Sequence, residues 1–183
     1  GEIKLTINDT YEGNCSFIIK ESCTIDLYGS YGRSRGTLFT IDAPDIEVTI
    51  NNYADIGAGC FFENKYQESS KVIFRNPGEK EIKAGIYVGK HDDVDVSGVD
   101  ITQNGSWDAL YVNGDYEMTG GTINGRVSIG GSGTCTLHNV IVNAGITGGG
   151  KLIVDDGSLI KDTIYMAPEV EIRNSRVIVE DSS

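Results

Sequence analysis

The chain has 183 residues, which is the length of one domain. Its formal net charge is −12, and so acidic a surface disfavours binding of nucleic acid through its phosphates. No apolar run approaches the ~18 residues of a membrane-spanning helix, and no signal-peptide pattern opens the sequence. Its 24 glycines and only 3 prolines favour a chain of tight bends over a disordered linker.

The first 83 residues contain alternating strands separated by long polar loops. Apolar and polar residues alternate in 3–7 and again in 17–27, the pattern of a strand with one buried face. The segments 30–36, 66–70 and 76–83 are longer and polar. We expect these loops to project from one side of the structure.

Residues 84–124 hold two copies of one unit. Each copy has an alternating strand, a polar bend, a second alternating strand, a glycine bend and a third short strand. The glycine bends are Gly98 and Gly120, and the strands before them cover 94–96 and 116–118. Such self-similarity predicts a repeat architecture.

The unit recurs along the whole chain. Each copy aligns on one bend residue that is Gly, Asn or Asp, the types that reach left-handed backbone angles at least cost. Eight such anchors follow one another at spacings of 17 to 24 residues. The anchors are Gly29, Asn52, Asn76, Gly98, Gly120, Asn139, Asp156 and Asn174.

Two columns of apolar or aromatic residues precede the anchors, two and four residues before them, and the positions between are mostly polar. This alternation predicts strands with one buried face. The nearer column is Leu27, Ile50, Phe74, Val96, Met118, Leu137, Val154 and Ile172. The farther column is Ile25, Val48, Val72, Val94, Tyr116, Cys135, Leu152 and Val170.

Three short strands per repeat predict an all-β fold, a right-handed single-stranded parallel β-helix, or solenoid, of about eight rungs. We expect one domain over 1–183, either complete or an excised part of a longer chain, with less regular rungs in 1–83 and regular rungs in 84–181. A β-sandwich would need antiparallel hairpins and would not explain the same parity in eight successive copies.

Outward acids stack in neighbouring rungs of the regular part. Asp93 and Asp95 would lie beside Asp115 and Glu117, at about the 5 Å separation of adjacent strands. Carboxylate oxygens at this distance can share a hard cation. The four residues are therefore a candidate Ca²⁺ site, and a solvated acidic face is the alternative.

An aromatic column forms the second candidate site. In successive copies the outward residue of the earlier strand is Tyr87, Tyr111 and Ser128, with Tyr165 further on. Exposed aromatic rings in a row suit stacking against sugar rings. The alternative is that tyrosine tolerates an exposed sheet face and that the rings stabilise each other.

Polar groups accompany these rings. Trp107, the only tryptophan, and Asp108 lie just before the strand of Tyr111, and Asn113 follows it. Acid and amide groups beside aromatic rings can read sugar hydroxyls. We therefore expect Tyr87, Trp107, Asp108, Tyr111 and Asn113 to form a glycan-binding site.

The four cysteines show no metal-binding spacing. There is no CxxC pair and there are only two histidines, which disfavours zinc. Cys135 falls in a core column and is expected to be a small buried hydrophobe. Cys15 and Cys23 could pair only if bends bring them together, so their oxidation state stays open.

The coil resembles the right-handed parallel β-helices of the pectate-lyase-like group. The segments CTIDLYG and IEVTINN of the N-terminal third are similar to adhesin-like repeat domains of bacterial surface proteins, and phage tail and fibre proteins use similar modules. The resemblance implies an extracellular rod at a cell or virion surface that often binds sugars. Its motifs are scaffold motifs, so they indicate the fold far more strongly than an activity.

Catalysis has less support. The resemblance implies that a lyase needs a basic residue beside a Ca²⁺ site, and that a hydrolase needs Gly-His-Gly and Arg-x-Lys motifs, which this chain lacks. No outward arginine falls on the rungs of Asp93 and Asp115. We therefore expect a non-enzymatic, adhesin-like or receptor-binding protein that contacts glycans. A Ca²⁺-dependent polysaccharide lyase or glycoside hydrolase, and a structural phage fibre or filament module that self-associates through its end rungs, are the alternatives.

Overall fold

The structure is a computed structural model that describes residues 3–11, 17–31, 37–56, 60–64, 69–80, 86–88, 93–102, 108–165 and 169–178. For some residues inside strands, including Tyr87 and Asp93, only the backbone is described. Every regular element in these ranges is a β-strand.

In chain order the strands are β1 (Ile3–Tyr11), β2 (Phe17–Ile19), β3 (Cys23–Tyr31), β4 (Thr37–Ile41), β5 (Glu47–Asn52), β6 (Asp55–Ile56), β7 (Cys60–Asn64), β8 (Lys71–Arg75), β9 (Ile86–Val88), β10 (Asp93–Asp95), β11 (Ile101–Thr102), β12 (Leu110–Val112), β13 (Asp115–Thr119), β14 (Thr122–Asn124), β15 (Val127–Ile129), β16 (Thr134–His138), β17 (Ile141–Val142), β18 (Ile146–Gly148), β19 (Lys151–Asp155), β20 (Leu159–Ile160), β21 (Ile164–Tyr165), β22 (Glu169–Ile172) and β23 (Arg176–Val177).

The strands stack into a coil with three faces, and each face is a parallel sheet. Face 1 contains β1-β3-β5-β8-β10 and then β13-β16-β19-β22. Face 2 contains β11-β14-β17-β20-β23, and face 3 contains β2-β4-β7 and then β9-β12-β15-β18-β21. The predicted all-β parallel β-helix is thus confirmed, with about seven turns in place of the expected eight. The right hand of the coil stays a prediction.

The two apolar columns of face 1 belong to the core, as predicted. In both columns the described members from β3 to β19 are buried, and Phe74, Met118 and Leu137 have no exposed surface. Val170 and Ile172 in β22 are the exceptions, at 39% and 48% exposed. They are exposed because no described strand packs on the outer side of β22.

The anchors use two different kinds of bend. Gly29, Gly98, Gly120, Asn139, Asp156 and Asn174 have positive φ, as their residue types led us to expect. At Asn52 and Asn76, side-chain hydrogen bonds stabilise the bend. The amide of Asn52 donates to the Ala54 carbonyl at 3.0 Å and to Asn76 Oδ1 at 3.2 Å, and its Oδ1 accepts from the Ala54 N–H at 3.2 Å.

One part of the predicted alignment is wrong. The sequence analysis matched Gly29 with Asn52, but the ladder between β3 and β5 places Leu27 opposite Asn52 and Ile25 opposite Ile50. The error is a shift of two residues. Such a shift preserves inward and outward parity, so the apolar pattern cannot detect it.

The turn formed by β9, β10 and β11, here called the junction turn, is attached differently on its two sides. β10 pairs with β8 of the preceding turn, whereas β9 and β11 pair with β12 and β14 of the following one. Within the described residues, face 1 has no ladder between β10 and β13. The Gly98 N–H still donates to the Thr119 carbonyl at 2.8 Å, which sets Asp95 opposite Glu117. Like charges placed directly opposite destabilise strand pairing.

Candidate functional site

The aromatic column lies on face 3 with the register that the sequence predicted. Tyr111 pairs with Tyr87 on one side and with Ser128 on the other. Leu110 and Val112, on either side of Tyr111, have no exposed surface, whereas Tyr111 itself is half-buried. Alternation therefore turns the Tyr111 ring away from the core.

The column continues along the coil. Ser128 pairs with Thr147, and Thr147 pairs with Tyr165. The hydroxyls of Ser128 and Thr147 are 3.2 Å apart, and Tyr165 is 58% exposed. We call these five positions the face 3 column: Tyr87, Tyr111, Ser128, Thr147 and Tyr165. The side chain of Tyr87 lies outside the described part of the chain.

Asp108 lies at one edge of this column but is engaged within the protein. Its carboxylate accepts a hydrogen bond from the Nε of Arg126, and only 19% of its side chain is exposed. Arg126 is more open, with 51% of its side chain exposed. A molecule on face 3 would therefore meet Arg126 more readily than the acid that the sequence suggested.

Asn113 lies at the opposite edge, over a corner made of glycines. It is half-buried, and a Cβ atom placed on Gly130 in the next turn would overlap its amide oxygen. Gly150, one turn further, similarly approaches the backbone of Gly130 and Gly133. The corner therefore requires glycine for close packing between turns. Trp107, the remaining member of the predicted glycan site, lies outside the described residues.

Of the candidate calcium residues, Asp95 is committed to partners within the protein. Asp95 accepts from Arg75 Nη2 at 2.8 Å and from the Ser97 N–H at 2.9 Å. Partial burial raises the pKa of Asp95, but these hydrogen bonds and the charge of Arg75 outweigh it and hold that pKa below its usual range. Sequence reasoning missed Arg75 because it belongs to the preceding turn.

The other acids are arranged around a histidine or open to solvent. Glu117 Oε1 is 3.3 Å from His138 Nε2, and Asp156 Oδ2 is 3.6 Å from His138 Nδ1. Asp115 is exposed. Among the described residues, no group of three or more His, Cys, Asp or Glu side chains could hold a metal ion. The carboxylate of Asp93 is not described, so the calcium site stays a prediction.

Two cysteines are described with their side chains, and both are free buried thiols. Cys135 has no exposed surface, as predicted for a core position, and burial raises its pKa to about 12. Burial also raises the pKa of Cys23. Cys15 lies outside the described residues. These thiols are poor nucleophiles, because the thiolate is the reactive form.

Sequence reasoning also missed an aromatic pair on face 1. The rings of Tyr28 and Tyr53 stack with centroids 4.7 Å apart and an angle of 7° between their planes. The misaligned first repeat concealed this contact. With Leu27 opposite Asn52, the two tyrosines come directly opposite each other.

Comparison with protein-family models, with curated proteins and with solved structures gives no match. The described ranges contain no helix that is long and apolar enough to cross a membrane. The fold and its surface geometry therefore carry the functional argument.

Proposed function

We propose that this protein is a non-enzymatic, surface-exposed β-helix that binds glycans through face 3, as an adhesin-like or receptor-binding rod. The observation that carries the proposal is the register of β9 with β12, which pairs Tyr87 with Tyr111 in adjacent strands. Tyrosine offers an apolar ring face for a sugar ring and a hydroxyl for its polar edge.

The rigidity of the scaffold favours such a site. Tyr111 projects from a strand whose neighbours Leu110 and Val112 are fully buried, so the backbone beneath the ring is fixed. A ring on a fixed backbone needs no ordering of the chain on binding, which lowers the free-energy cost of recognition. The proposed setting is a cell or virion surface, and the proposed partners are glycans or a glycosylated receptor.

A glycan array with the purified protein tests the proposal. We expect binding to one or more glycans and a loss of about tenfold in affinity for Tyr111→Ala, because aromatic contacts contribute up to about 1.5 kcal/mol and about 1.4 kcal/mol corresponds to a factor of ten. Tyr28→Ala is the matched control. It removes a tyrosine that is 37% exposed on another face, and it should bind like the wild type. Absence of binding to every glycan, or equal loss in both variants, would refute the proposal.

The structure contains one feature that favours the enzymatic alternative. Arg75 supplies a basic group within 2.8 Å of Asp95, which a polysaccharide lyase would require near its acids. This arginine is already bound to the carboxylate. Degradation of polygalacturonate in the presence of Ca²⁺, abolished by Asp95→Ala and retained in Asp100→Ala, would replace our proposal with a lyase.

A structural role is a second candidate function. The inward-facing residues of the first and last described strands of face 1 are partly open, with Leu5 at 40% and Ile172 at 48% exposed. A further turn, from a second copy or from the same polypeptide, would bury them. Rods joined end to end in negative-stain images, and lost in Ile172→Glu, would support a self-assembling fibre module.

A further inference from the structure

The face 3 column is uncharged along its whole length. From β9 to β21 its residues are Tyr87, Tyr111, Ser128, Thr147 and Tyr165, and each carries a hydroxyl. Face 1 differs, because its outward positions carry acids and bases that pair with each other. The face 3 column is thus a neutral strip, bordered by the ion pair of Arg126 and Asp108, on a protein with a net charge of −12.

The order of residues within the strip is also informative. Tyrosines occupy the positions of β9 and β12 at one end and of β21 at the other. Between them lie two small residues, Ser128 and Thr147, whose hydroxyl oxygens are 3.2 Å apart. At the ~4.8 Å separation of neighbouring strands, the strip extends roughly 19 Å along the coil.

We infer that the ligand of face 3 is a linear, uncharged oligosaccharide lying along the coil, with rings against the tyrosines at both ends and hydroxyls bonded to Ser128 and Thr147 between them. This inference rests on the proposed function and specifies its ligand class. A polyhydroxylated chain matches alternating ring faces and hydroxyl donors. The excess of negative charge on the protein repels uronate chains and so favours a neutral glycan.

The geometry predicts a dependence on chain length. A disaccharide can contact Tyr111 and its immediate neighbours, but only a longer chain reaches Tyr165, three strands away. Affinity should therefore rise over the first few sugar units and then level off. Each additional contact is made without a new association event, so its contribution adds directly to the affinity.

The test uses β-1,4-linked oligomers of glucose and of N-acetylglucosamine and α-1,4-linked oligomers of galacturonate, each from dimer to hexamer, together with branched glycans on the same array. We expect binding to neutral linear chains, increasing with length. We expect Tyr165→Ala to weaken binding of the hexamer about tenfold and to leave the dimer unchanged. Tyr111→Ala should weaken both.

The possible results separate this inference from the proposed function. Binding confined to galacturonate or to branched glycans, or equal affinity for dimer and hexamer, would overturn the inference but leave glycan binding through Tyr111 in place. An unchanged hexamer affinity in Tyr165→Ala would also overturn it. Absence of binding to any glycan would refute both.

Discussion

Replacing Asn52 by alanine should be among the most damaging single changes in the N-terminal half of the coil. Asn52 and Ala54 have no exposed surface. The Asn52 side chain satisfies both the N–H and the carbonyl of Ala54 and donates to Asn76. No other partner of these buried Ala54 groups is seen in the described residues, so the variant leaves them without a hydrogen bond.

The magnitude follows from the groups left unpaired. A buried donor or acceptor without a partner costs about 1–3 kcal/mol. Two such groups at Ala54 therefore give a loss of roughly 2–4 kcal/mol in the free energy of unfolding, after allowing for relaxation around the smaller side chain. Asn76 contributes little, because its Oδ1 still accepts from the Lys80 N–H at 3.2 Å.

Urea denaturation followed by circular dichroism measures this loss as a shift in midpoint at constant slope. Asn143→Ala is the matched control. Asn143 also donates its amide to an asparagine of the preceding turn, Asn124, but it is exposed. We expect the control to cost less than about 0.5 kcal/mol. Equal losses in the two variants would show that burial of the amide ladder does not stabilise the coil.

Three further changes test other features. Gly148→Ala should prevent folding of the C-terminal turns, because Gly148 has a φ of +133° and a Cβ atom there would overlap backbone atoms. The neighbouring Gly149→Ala should be tolerated, and similar melting temperatures of the two variants would contradict this prediction. Asp115→Asn should stabilise the protein by about 0.2–1 kcal/mol, because the exposed Asp115 lies two residues before Glu117 in β13 and adds negative charge at the interrupted ladder. The gain should vanish in 1 M salt, and a loss of stability would contradict the repulsion. The lowered pKa of Asp95 means that its stabilisation is present above about pH 4 and is lost as the pH falls through the folded-state pKa. Arg75→Gln should therefore reduce the loss of stability between pH 7 and pH 3 by about 0.5–1 kcal/mol, a value already lowered to allow for the solvent exposure of the pair. An unchanged dependence of stability on pH would show that the ion pair of Arg75 and Asp95 does not stabilise the protein.

The sequence alone predicts the fold because the core is periodic. Residues such as Leu137 and Val154 recur at the same position of successive turns and point to the same side of their strands, because a solenoid gives each turn the same environment. Alternation reports which side of a strand is buried, but it does not report how far along the strand two turns align. That limitation explains the two-residue error at Leu27 and Asn52, and with it the missed stack of Tyr28 on Tyr53.

The sequence predicts which strand positions of the candidate sites lie side by side, but it does not predict the side-chain contacts made there. The register of Tyr87, Tyr111 and Ser128 follows from the repeat length and is confirmed. The partners of Asp95 and Asp108 were missed. Arg75 and Arg126 each reach a carboxylate in an adjacent turn, and contacts between turns depend on side-chain direction as well as on spacing.

The junction turn should determine how strongly the stabilities of the two halves of the rod are coupled. In a linear array of repeats, stability is approximately a sum of nearest-neighbour interfaces. Among the described residues, the ladder on the N-terminal side has the three residue pairs between β8 and β10, including Lys71 opposite Asp93. The ladders on the C-terminal side lie on the other two faces. Unfolding that starts at either end should therefore slow at this turn, where the next interface belongs to a different sheet. We therefore expect the rod to unfold as two cooperative blocks that are coupled through one short turn.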